Sequence, residues 1–370
     1  MRPARSAPAH SRTCRRAVWC AAALATCVLL ATTAAMVRHL PGRVLRAAPA
    51  AAAALPRTRG AIVYVTVPSA VGELEASLRA LDVYYNDAFN APVIIFHPAV
   101  ARPGARDASA APLSAAAMLT LRNATRSALT FAEVDFEALA DAGALAAAPD
   151  LVYGFYTIGY RNMCNFFLQA VADEPVLAGF DYYWRFNSHS NLVAPVPADV
   201  FETMREAGAA YGFASTQAEF WEFGVGLQAA AERHFGRPAG AALRAAFVGP
   251  PLQWGAGRND AAIAACRERT DGCARDWNLR IYVNHFEVVS LAWLRSASHR
   301  AYAAALQAAG GIYDARRWGD APMRTLAVEY LLSPREVHLF RNVRVEHRGG
   351  LHDTRAAAAE VLGEARWLNS

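Results

Sequence analysis

Between residues 60 and 100 the spacing of the hydrophobic positions changes twice. Residues 61–67 read AIVYVTV, an apolar run typical of a strand that is buried on both faces. Leu74, Leu78 and Leu81 then recur at helical spacing within residues 71–85, and residues 93–96 form a second apolar run. A strand, a helix and a strand joined by short links predict a βαβ unit, so the domain opens as an α/β fold with a parallel sheet.

The alternation of strands and helices continues along the chain. Residues 129–134, 182–186 and 337–340 are further predicted strands. Residues 159–173, 290–309 and 323–332 are predicted helices, whose apolar faces we interpret as core. No internal repeat and no linker-like break occurs between residues 60 and 345, so we expect one domain of catalytic size.

The N-terminal segment has a different pattern. Residues 17–37 form an uncharged stretch of 21 residues, which is long enough to cross a bilayer as a helix. Five arginines precede it, so the positive-inside rule predicts a cytosolic tail (residues 1–16), a transmembrane signal-anchor (17–37) and type II topology. A cleaved signal peptide is the alternative, because residues 31–35 (ATTAA) resemble a cleavage region. Both interpretations place the main domain in the secretory lumen, behind a stem at residues 38–59 that is rich in Ala, Pro and Arg.

The distribution of charge excludes a nucleic-acid-binding domain. The whole chain of 370 residues carries a net charge of +5, but residues 1–59 hold ten arginines and no acidic residue. This leaves 27 basic against 32 acidic residues in the remainder, which is therefore net negative. With 54% hydrophobic and 19% charged residues, the composition also excludes a disordered protein.

Three cysteines follow the stem. The oxidising lumen would allow Cys266 and Cys273 to form a short-loop disulfide. Cys164 lies between Met163 and Phe166, and we predict that it is a buried, inert thiol.

Polar residues that directly follow predicted strands are the first candidates for chemistry, since ligands of open α/β sheets bind beyond the carboxyl ends of strands. Asn187 and His189 follow the strand at 182–186, in a position suited to a metal loop. Glu287 lies among apolar residues at the mouth of the helix predicted at 290–309, where it is either a nucleophile or base, or an acid that complements the helix dipole. Asp320 precedes a proline suited to a first helical turn, so helix capping is its alternative.

Taken together and in order, seven segments resemble glycosyltransferase family 15, the fungal-type Golgi α-1,2-mannosyltransferases. The resemblance covers about residues 60–352, which we take as the catalytic domain, followed by a C-terminal tail at residues 353–370. The matching segments are Tyr160-Arg-Asn-Met-Cys-Asn-Phe-Phe167, Phe180-Asp-Tyr-Tyr-Trp-Arg185, Tyr211-Gly-Phe213, Asn284-His-Phe-Glu287, Ala309-Gly-Gly311, Trp318-Gly-Asp-Ala-Pro322 and Glu346-His347.

The resemblance implies a GT-A-like α/β domain that transfers mannose from GDP-mannose, with Mn²⁺ and with retention of configuration, to a mannoside on a glycoprotein glycan. It further implies α-1,2 linkage and residence in the Golgi membrane. By the same resemblance, Glu287 matches the carboxylate that is proposed as the nucleophile of the family, and His347 matches the late histidine that ligates the metal. The donor- and acceptor-binding residues are Arg185, Asp320, Tyr160, Tyr211 and Asn86.

The chain departs from the family pattern in the metal loop, where Asn187 and His189 occupy the positions of two carboxylates. Mn²⁺ prefers carboxylate and water oxygens, so we expect weaker metal binding and describe the chain as a divergent member. Three alternatives remain: His189 and His347 hold the metal, Arg185 and other cations replace it, or the domain binds glycans or a partner protein without catalysis. A different hexose donor is also open, because sugar specificity depends on pocket shape.

Overall fold

The computed structural model describes residues 58–100, 104–107, 110–154, 156–249, 276–341 and 343–353. All of them fall within one unit, Arg57–Ser370. The predicted cytosolic tail, the signal-anchor at residues 17–37, most of the stem and of the C-terminal tail, and Cys266 and Cys273 lie outside the described residues. Within these ranges every helix is too short or too polar to cross a bilayer.

The strands of the described residues belong to one large sheet and three small ones. They are β1 (Gly60–Val65), β2 (Val93–Pro98), β3 (Leu129–Val134), β4 (Leu151–Val152), β5 (Tyr156–Thr157), β6 (Tyr182–Arg185), β7 (Ser190–Leu192), β8 (Tyr211–Phe213), β9 (Thr216–Ala218), β10 (Arg280–Tyr282), β11 (Glu287–Ser290), β12 (Val337–Leu339), β13 (Arg344–His347) and β14 (Gly350–Asp353).

The helices fall on both faces of the large sheet. Those of six or more residues are α1 (Val71–Leu81), α2 (Ala115–Ala124), α3 (Ala142–Ala147), α4 (Ile158–Asn165), α5 (Val200–Ala207), α6 (Leu227–Phe235), α7 (Ala297–Ala308) and α8 (Asp320–Leu331). Shorter α-helical segments are Asp87–Phe89, Trp221–Gly224, Ala239–Ala242 and Leu291–Leu294. Wider π-helical turns extend α1 through Asp82–Asn86 and α4 through Phe166–Ala170.

The large sheet has the strand order β12-β8-β11-β6-β1-β2-β3. All neighbouring pairs are parallel except those of β11, which runs antiparallel to both β6 and β8. The side chains of β1 alternate between two cores, as the two-residue period of a strand requires. Ala61 and Val63 pack on the face of α4 and α8, whereas Ile62 and Tyr64 pack on the face of α1, α2 and α5.

Two features of this topology position the functional cleft. From β1 the chain proceeds outward to β2 and β3 and then returns to place β6 on the other side of β1, so the β1–β6 boundary is a topological switch point. In addition, the antiparallel direction of β11 brings its first residue, Glu287, beside Arg185, the last residue of β6. Both side chains therefore originate at the carboxyl edge of the parallel strands.

The predicted strands and most predicted helices are present, with small shifts at their ends. The helix predicted at residues 290–309 is wrong in two respects. Ser290 ends β11, and the helical part is interrupted because the Ser296 hydroxyl accepts a hydrogen bond from the His299 backbone N–H and starts α7. Glu287 is therefore the first residue of a buried strand and does not lie at the start of a helix.

Candidate active site

A cleft of about 530 Å³ opens at the carboxyl edge of the sheet. Its floor includes the end of β1, where Val65 is followed by Thr66, and the end of β6, where Arg185 is followed by Asn187 and Ser188. The Ser188 hydroxyl lies 3.1 Å from the Thr66 hydroxyl and joins the two strand ends. The walls come from the start of α4, the loop before α8 and the end of β13.

Arg185 is a buried cation, 1% exposed, that lines this cleft and contacts two carboxylates. Its Nη1 donates to Asp320 Oδ2 at 2.5 Å and lies 3.7 Å from Glu287 Oε1. Its guanidinium carbon stacks 3.6 Å from the centre of the Phe167 ring. Burial lowers the pKa of Arg185, but Asp320 and Glu287 raise it by more, so the net direction is upward and the side chain stays charged.

Asp320 is the first residue of α8 and lines the cleft. Its Oδ2 accepts a hydrogen bond from Arg185, and its Oδ1 lies 3.5 Å from the Cys164 thiol, which donates to it. Burial raises the pKa of Asp320, but the attraction and hydrogen bond of Arg185 outweigh it and leave the pKa lowered. Asp320 is thus an ionised carboxylate that faces the cleft.

Glu287 is more deeply buried, at 1% exposure, and is not among the residues that line the cleft. The Tyr183 hydroxyl donates to its Oε1 at 3.2 Å, and Arg324 Nε lies 3.7 Å from its Oε2. Its Oε2 has no hydrogen-bond partner among the described residues. Burial raises the pKa of Glu287, while Arg324 and Arg185 oppose the rise.

Two of the predicted metal-binding residues, His189 and His347, line the cleft close to each other, whereas Asn187 belongs to its floor. The β7–β13 pairing places His347 opposite Ser190, and His347 Nδ1 lies 2.8 Å from the Ser190 hydroxyl. The rings of His189 and His347 are 4.7 Å apart, and that of His285 stacks on His347 at 4.6 Å. Burial, with the neighbouring His189 and Arg348, lowers the pKa of His347 to about 3, so this imidazole is neutral at physiological pH.

These residues do not fit a preformed Mn²⁺ site. Arg348 Nε donates to His189 Nε2 at 2.9 Å, so the remaining nitrogen of this imidazole carries its proton and offers no lone pair. The Asn187 carbonyl oxygen faces Arg185 Nη2 at 3.4 Å. In the described part of the chain, no three His, Cys, Asp or Glu side chains are arranged to hold a metal. His347 uses Nδ1 for its contact with Ser190, and its Nε2 is a donor or an acceptor according to the tautomer.

Three further predicted site residues fall in different places. Tyr160, in α4, lines the cleft. Tyr211 does not: it is fully buried in β8, on the strand next to Glu287. Asn86 also lies away from the cleft, because its side chain bonds to Ala91 on both its amide nitrogen and its carbonyl oxygen and thereby shapes the turn before β2. Of these three predicted site residues, Tyr160 is therefore part of the cleft wall, whereas Tyr211 and Asn86 belong to the supporting structure.

The structure also brings residues into the cleft that the sequence did not single out. Arg317 and Arg348 line it, as does Asn284, which hydrogen-bonds Asp320. Arg324 completes the buried cluster with Arg185, Glu287 and Asp320. Arg317 lies three residues before Asp320, and Asn284 lies three residues before Glu287. This closeness in sequence was the one feature that could have predicted them as site residues.

Comparison with known proteins gives one family match. Residues 44–223 and 253–359 match the profile of the family described as Glycolipid 2-alpha-mannosyltransferase. The O-glycoside alpha-1,2-mannosyltransferase homolog 3 of Schizosaccharomyces pombe is 26% identical over 202 residues, which cover 55% of this chain and 49% of that protein. The probable mannosyltransferase YUR1 of Saccharomyces cerevisiae is 29% identical over 193 residues, which cover 51% of this chain and 42% of that protein. The chain spans about half the length of the curated relatives it matches.

Solved structures show the same fold. The core-mannan synthase A of Aspergillus fumigatus, in a Mn/GDP form, superposes with a TM-score of 0.61 at 19% identity and covers 80% of this chain and 77% of that one. The mannosyltransferase Ktr4p of S. cerevisiae in complex with GDP gives a TM-score of 0.62 at 19% identity, over 80% of this chain and 72% of that one. The predicted α/β, GT-A-like fold is therefore confirmed.

Proposed function

The chain belongs to the Glycolipid 2-alpha-mannosyltransferase family, which is glycosyltransferase family 15, and from this premise we propose that it transfers mannose from GDP-mannose to a mannoside hydroxyl. The observation that carries the proposal is the contact of Arg185 with both Asp320 and Glu287 at the switch point of the sheet. Nucleotides bind at such switch points, and a charged, water-poor cluster beside one is suited to stabilising a sugar cation.

The roles we propose follow from exposure and charge. Asp320 faces the cleft as an anion, so it accepts hydrogen bonds from sugar hydroxyl groups and stabilises positive charge at the reacting carbon. Arg185 keeps Asp320 ionised and fixes its orientation. Glu287 lies behind this pair and balances the charges of Arg185 and Arg324. Tyr160 forms part of the substrate wall.

A retaining transfer takes one of two routes. A carboxylate traps the sugar covalently on the face opposite the leaving group, or the acceptor attacks from the front face while the leaving diphosphate guides it. Glu287 is buried behind the cleft, so it acts as the nucleophile of the first route only if its side chain reaches the cleft. In the second route its negative charge acts electrostatically from its buried position. We propose that Glu287 is essential under either route.

The donor diphosphate needs positive charge beside it. Mn²⁺ would supply this as a Lewis acid, but the described residues do not fit such a site, so we derive no step through a metal. We propose that Arg348, at the cleft wall, and Arg185 stabilise the diphosphate instead, with His347 Nε2 as a further contact. We expect removal of divalent cations to slow transfer less than about tenfold, because fixed guanidinium groups persist in chelator.

We also propose that the protein is a single-pass type II membrane protein of the Golgi, with the signal-anchor at residues 17–37 and the domain in the lumen. The acceptor would then be a mannose-containing glycan of a glycoprotein, joined in α-1,2 linkage. The uncharged stretch and the arginines before it support this topology. Protease protection of the domain in sealed Golgi vesicles, with an exposed N-terminal tag, is the test.

A second candidate function is a glycan- or partner-binding protein without catalysis, favoured by the loss of both acidic positions at Asn187 and His189. The experiment that separates it from a transferase incubates the full chain in detergent with GDP-mannose and methyl α-mannoside, with Mn²⁺ or with chelator. Other sugar nucleotides are run in parallel, and NMR identifies the linkage and anomeric configuration of the product. We expect an α-1,2-linked disaccharide from GDP-mannose. Transfer from another donor would change the assigned sugar, and no transfer from any donor would contradict the enzymatic proposal.

A further inference from the structure

Arg317 is a buried arginine in the cleft with hydrogen-bond donors that no described residue accepts. It is 4% exposed, and its Nη2 donates to the Tyr160 hydroxyl at 2.7 Å. Its Nε and Nη1 have no partner in the described part of the chain, and no described carboxylate lies within 4 Å of the guanidinium nitrogens. Buried N–H groups of a cation are rarely left unpaired, because they lose their hydration without compensation.

Aromatic rings fix the orientation of this guanidinium. Its carbon lies 3.7 Å from the ring centre of Tyr156, 3.9 Å from that of Phe223 and 4.7 Å from that of Tyr160. These contacts stabilise the positive charge and restrict rotation of the side chain. The unpaired N–H groups are therefore held in place before a ligand arrives.

The backbone of Arg317 is held in an unfavourable conformation by its neighbours. Its φ of 49° lies in the left-handed region that non-glycine residues rarely adopt. Trp318, which follows, is fully buried, donates from its indole nitrogen to the Val225 carbonyl and packs so closely on Gly311 that a Cβ there would come within 2.3 Å of the ring. Strain of this kind is found at ligand-binding sites, where the surrounding structure imposes it.

Arg317 comes from a different segment of the chain than the strand ends of the expected nucleotide site. The switch point lies between β1 and β6, whereas Arg317 belongs to the loop before α8, and Tyr160 to α4. Glu219 and Phe220, which follow β9, line the same cleft. Aromatic faces beside fixed N–H donors are suited to a sugar, whose C–H face packs on a ring while its hydroxyl oxygens accept hydrogen bonds.

We propose that Arg317 binds hydroxyl oxygens of the acceptor sugar through its Nε and Nη1 and so selects and orients the acceptor. This inference rests on the proposed transferase function and adds a residue to which the sequence assigned no role. Arg317 acts on acceptor affinity, and the donor is bound independently of it.

The test compares Arg317→Gln with Arg316→Gln in the full chain in detergent. Arg316 is the matched control, because it is an arginine of the same loop that pairs with Asp314, packs 4.7 Å from the Trp318 ring and does not line the cleft. Three quantities are measured: the KM for methyl α-mannoside, the rate of GDP-mannose hydrolysis without acceptor, and the Kd for GDP by calorimetry. A fourth, saturation-transfer NMR of methyl α-mannoside, reports acceptor binding without turnover.

We expect Arg317→Gln to raise the acceptor KM about 10- to 100-fold, as loss of one or two hydrogen bonds from a charged donor predicts, and to weaken the NMR signal. Hydrolysis and the GDP Kd should stay within about twofold, as should all values of Arg316→Gln. An equal rise in KM for both variants, or a weaker Kd for GDP in an Arg317→Gln variant that is folded, would overturn the proposal.

Two further outcomes are distinguishable. If Arg317→Gln no longer binds GDP because it fails to fold, Arg317→Lys is used, since it keeps a cation among the rings but loses the planar fork; an unchanged acceptor KM in this variant would overturn the proposal. If the unaltered chain transfers no sugar, the proposed function fails, and the NMR comparison still tests Arg317. Absence of any mannoside signal from the unaltered chain would overturn the Arg317 proposal as well.

Discussion

Replacing Arg185 with methionine removes the cation that lies between the two carboxylates of the site. Methionine fills much of the same volume and keeps contact with the Phe167 ring, so packing changes little. The charge balance changes strongly, because Asp320 loses its cation partner at 2.5 Å and Glu287 keeps one of its two cation contacts, Arg324 at 3.7 Å. The substitution therefore isolates the electrostatic contribution of Arg185.

The expected loss is large because both groups of the Arg185–Asp320 pair are buried, with side-chain exposures of 2% and 9%. Removing one partner of a buried pair leaves an uncompensated charge and costs about 3–5 kcal/mol in free energy of unfolding. We expect a loss of this order at pH 7.5. Transfer activity should fall by at least about 100-fold, since Asp320 is then neither fixed in orientation nor held ionised.

The loss should depend on pH in a defined direction. In the unaltered chain the pKa of Asp320 is lowered, so its stabilising contribution is present above its unfolded pKa and is lost only as pH falls through the lower folded pKa. Without Arg185, burial raises the pKa of Asp320 above its unfolded value. As pH rises, Asp320 then ionises more readily in the unfolded chain than in the folded chain, and this lowers the free energy of unfolding. The deficit of Arg185→Met should therefore be smaller at pH 5 than at pH 7.5.

Urea unfolding of the full chain in detergent, followed by tryptophan fluorescence at both pH values, measures this effect. Arg161→Met is the matched control, because Arg161 is fully buried but donates, within the described residues, to backbone carbonyl oxygens of residues such as Thr157 and Tyr313. We expect it to destabilise the fold equally at pH 5 and pH 7.5. A deficit for Arg185→Met that is independent of pH, or below about 1 kcal/mol, would refute the charge argument.

Three further predictions concern other parts of the domain. Gly311→Ala should lower the free energy of unfolding by about 1–3 kcal/mol, since the added Cβ would meet the buried Trp318 ring at 2.3 Å; urea titration measures it, and an unchanged stability would contradict the packing. Cys164 should resist thiol reagents in the folded chain, because burial raises its pKa, and rapid labelling without denaturant would contradict this. His347→Ala should weaken GDP binding by less than about tenfold, and calorimetry should give the same effect in chelator and in Mn²⁺. Weaker binding in Mn²⁺ but not in chelator would indicate a metal site at His347.

The sequence was sufficient for the fold because local patterns and topology agree. The apolar runs of β1 and β2 and the leucines of α1 give a βαβ unit whose residues pack as expected. Strand β11 was not predictable, because the apolar run after Glu287 suits a strand or a helix. Its pairing with β6 and β8, which are distant in the chain, decides between the two. The break before α7 likewise depends on one serine cap.

For the candidate site, the sequence predicted which residues take part better than it predicted their burial and their contacts. Asp320 and Arg185 were chosen from short motifs and meet in the structure, although 135 positions separate them. The burial of Glu287 and Tyr211 behind the cleft could not be predicted, because exposure is set by strands and helices distant in the chain. The pairing of His189 with Arg348 was equally inaccessible, since it depends on how β13 docks against β7.

The measurement that tests the central claim most directly is transfer of mannose from GDP-mannose by Glu287→Gln and Asp320→Asn, with Glu329→Gln as control. Glu329 is matched to Glu287, because it is a buried glutamate paired with an arginine, Arg244, and a tyrosine hydroxyl, outside the cleft. We predict that Glu287→Gln and Asp320→Asn each lower kcat at least about 1,000-fold while GDP still binds, and that Glu329→Gln keeps kcat within about threefold. Full transfer by Glu287→Gln or Asp320→Asn, or an equal loss in Glu329→Gln, would contradict the assignment of this cluster as the catalytic centre.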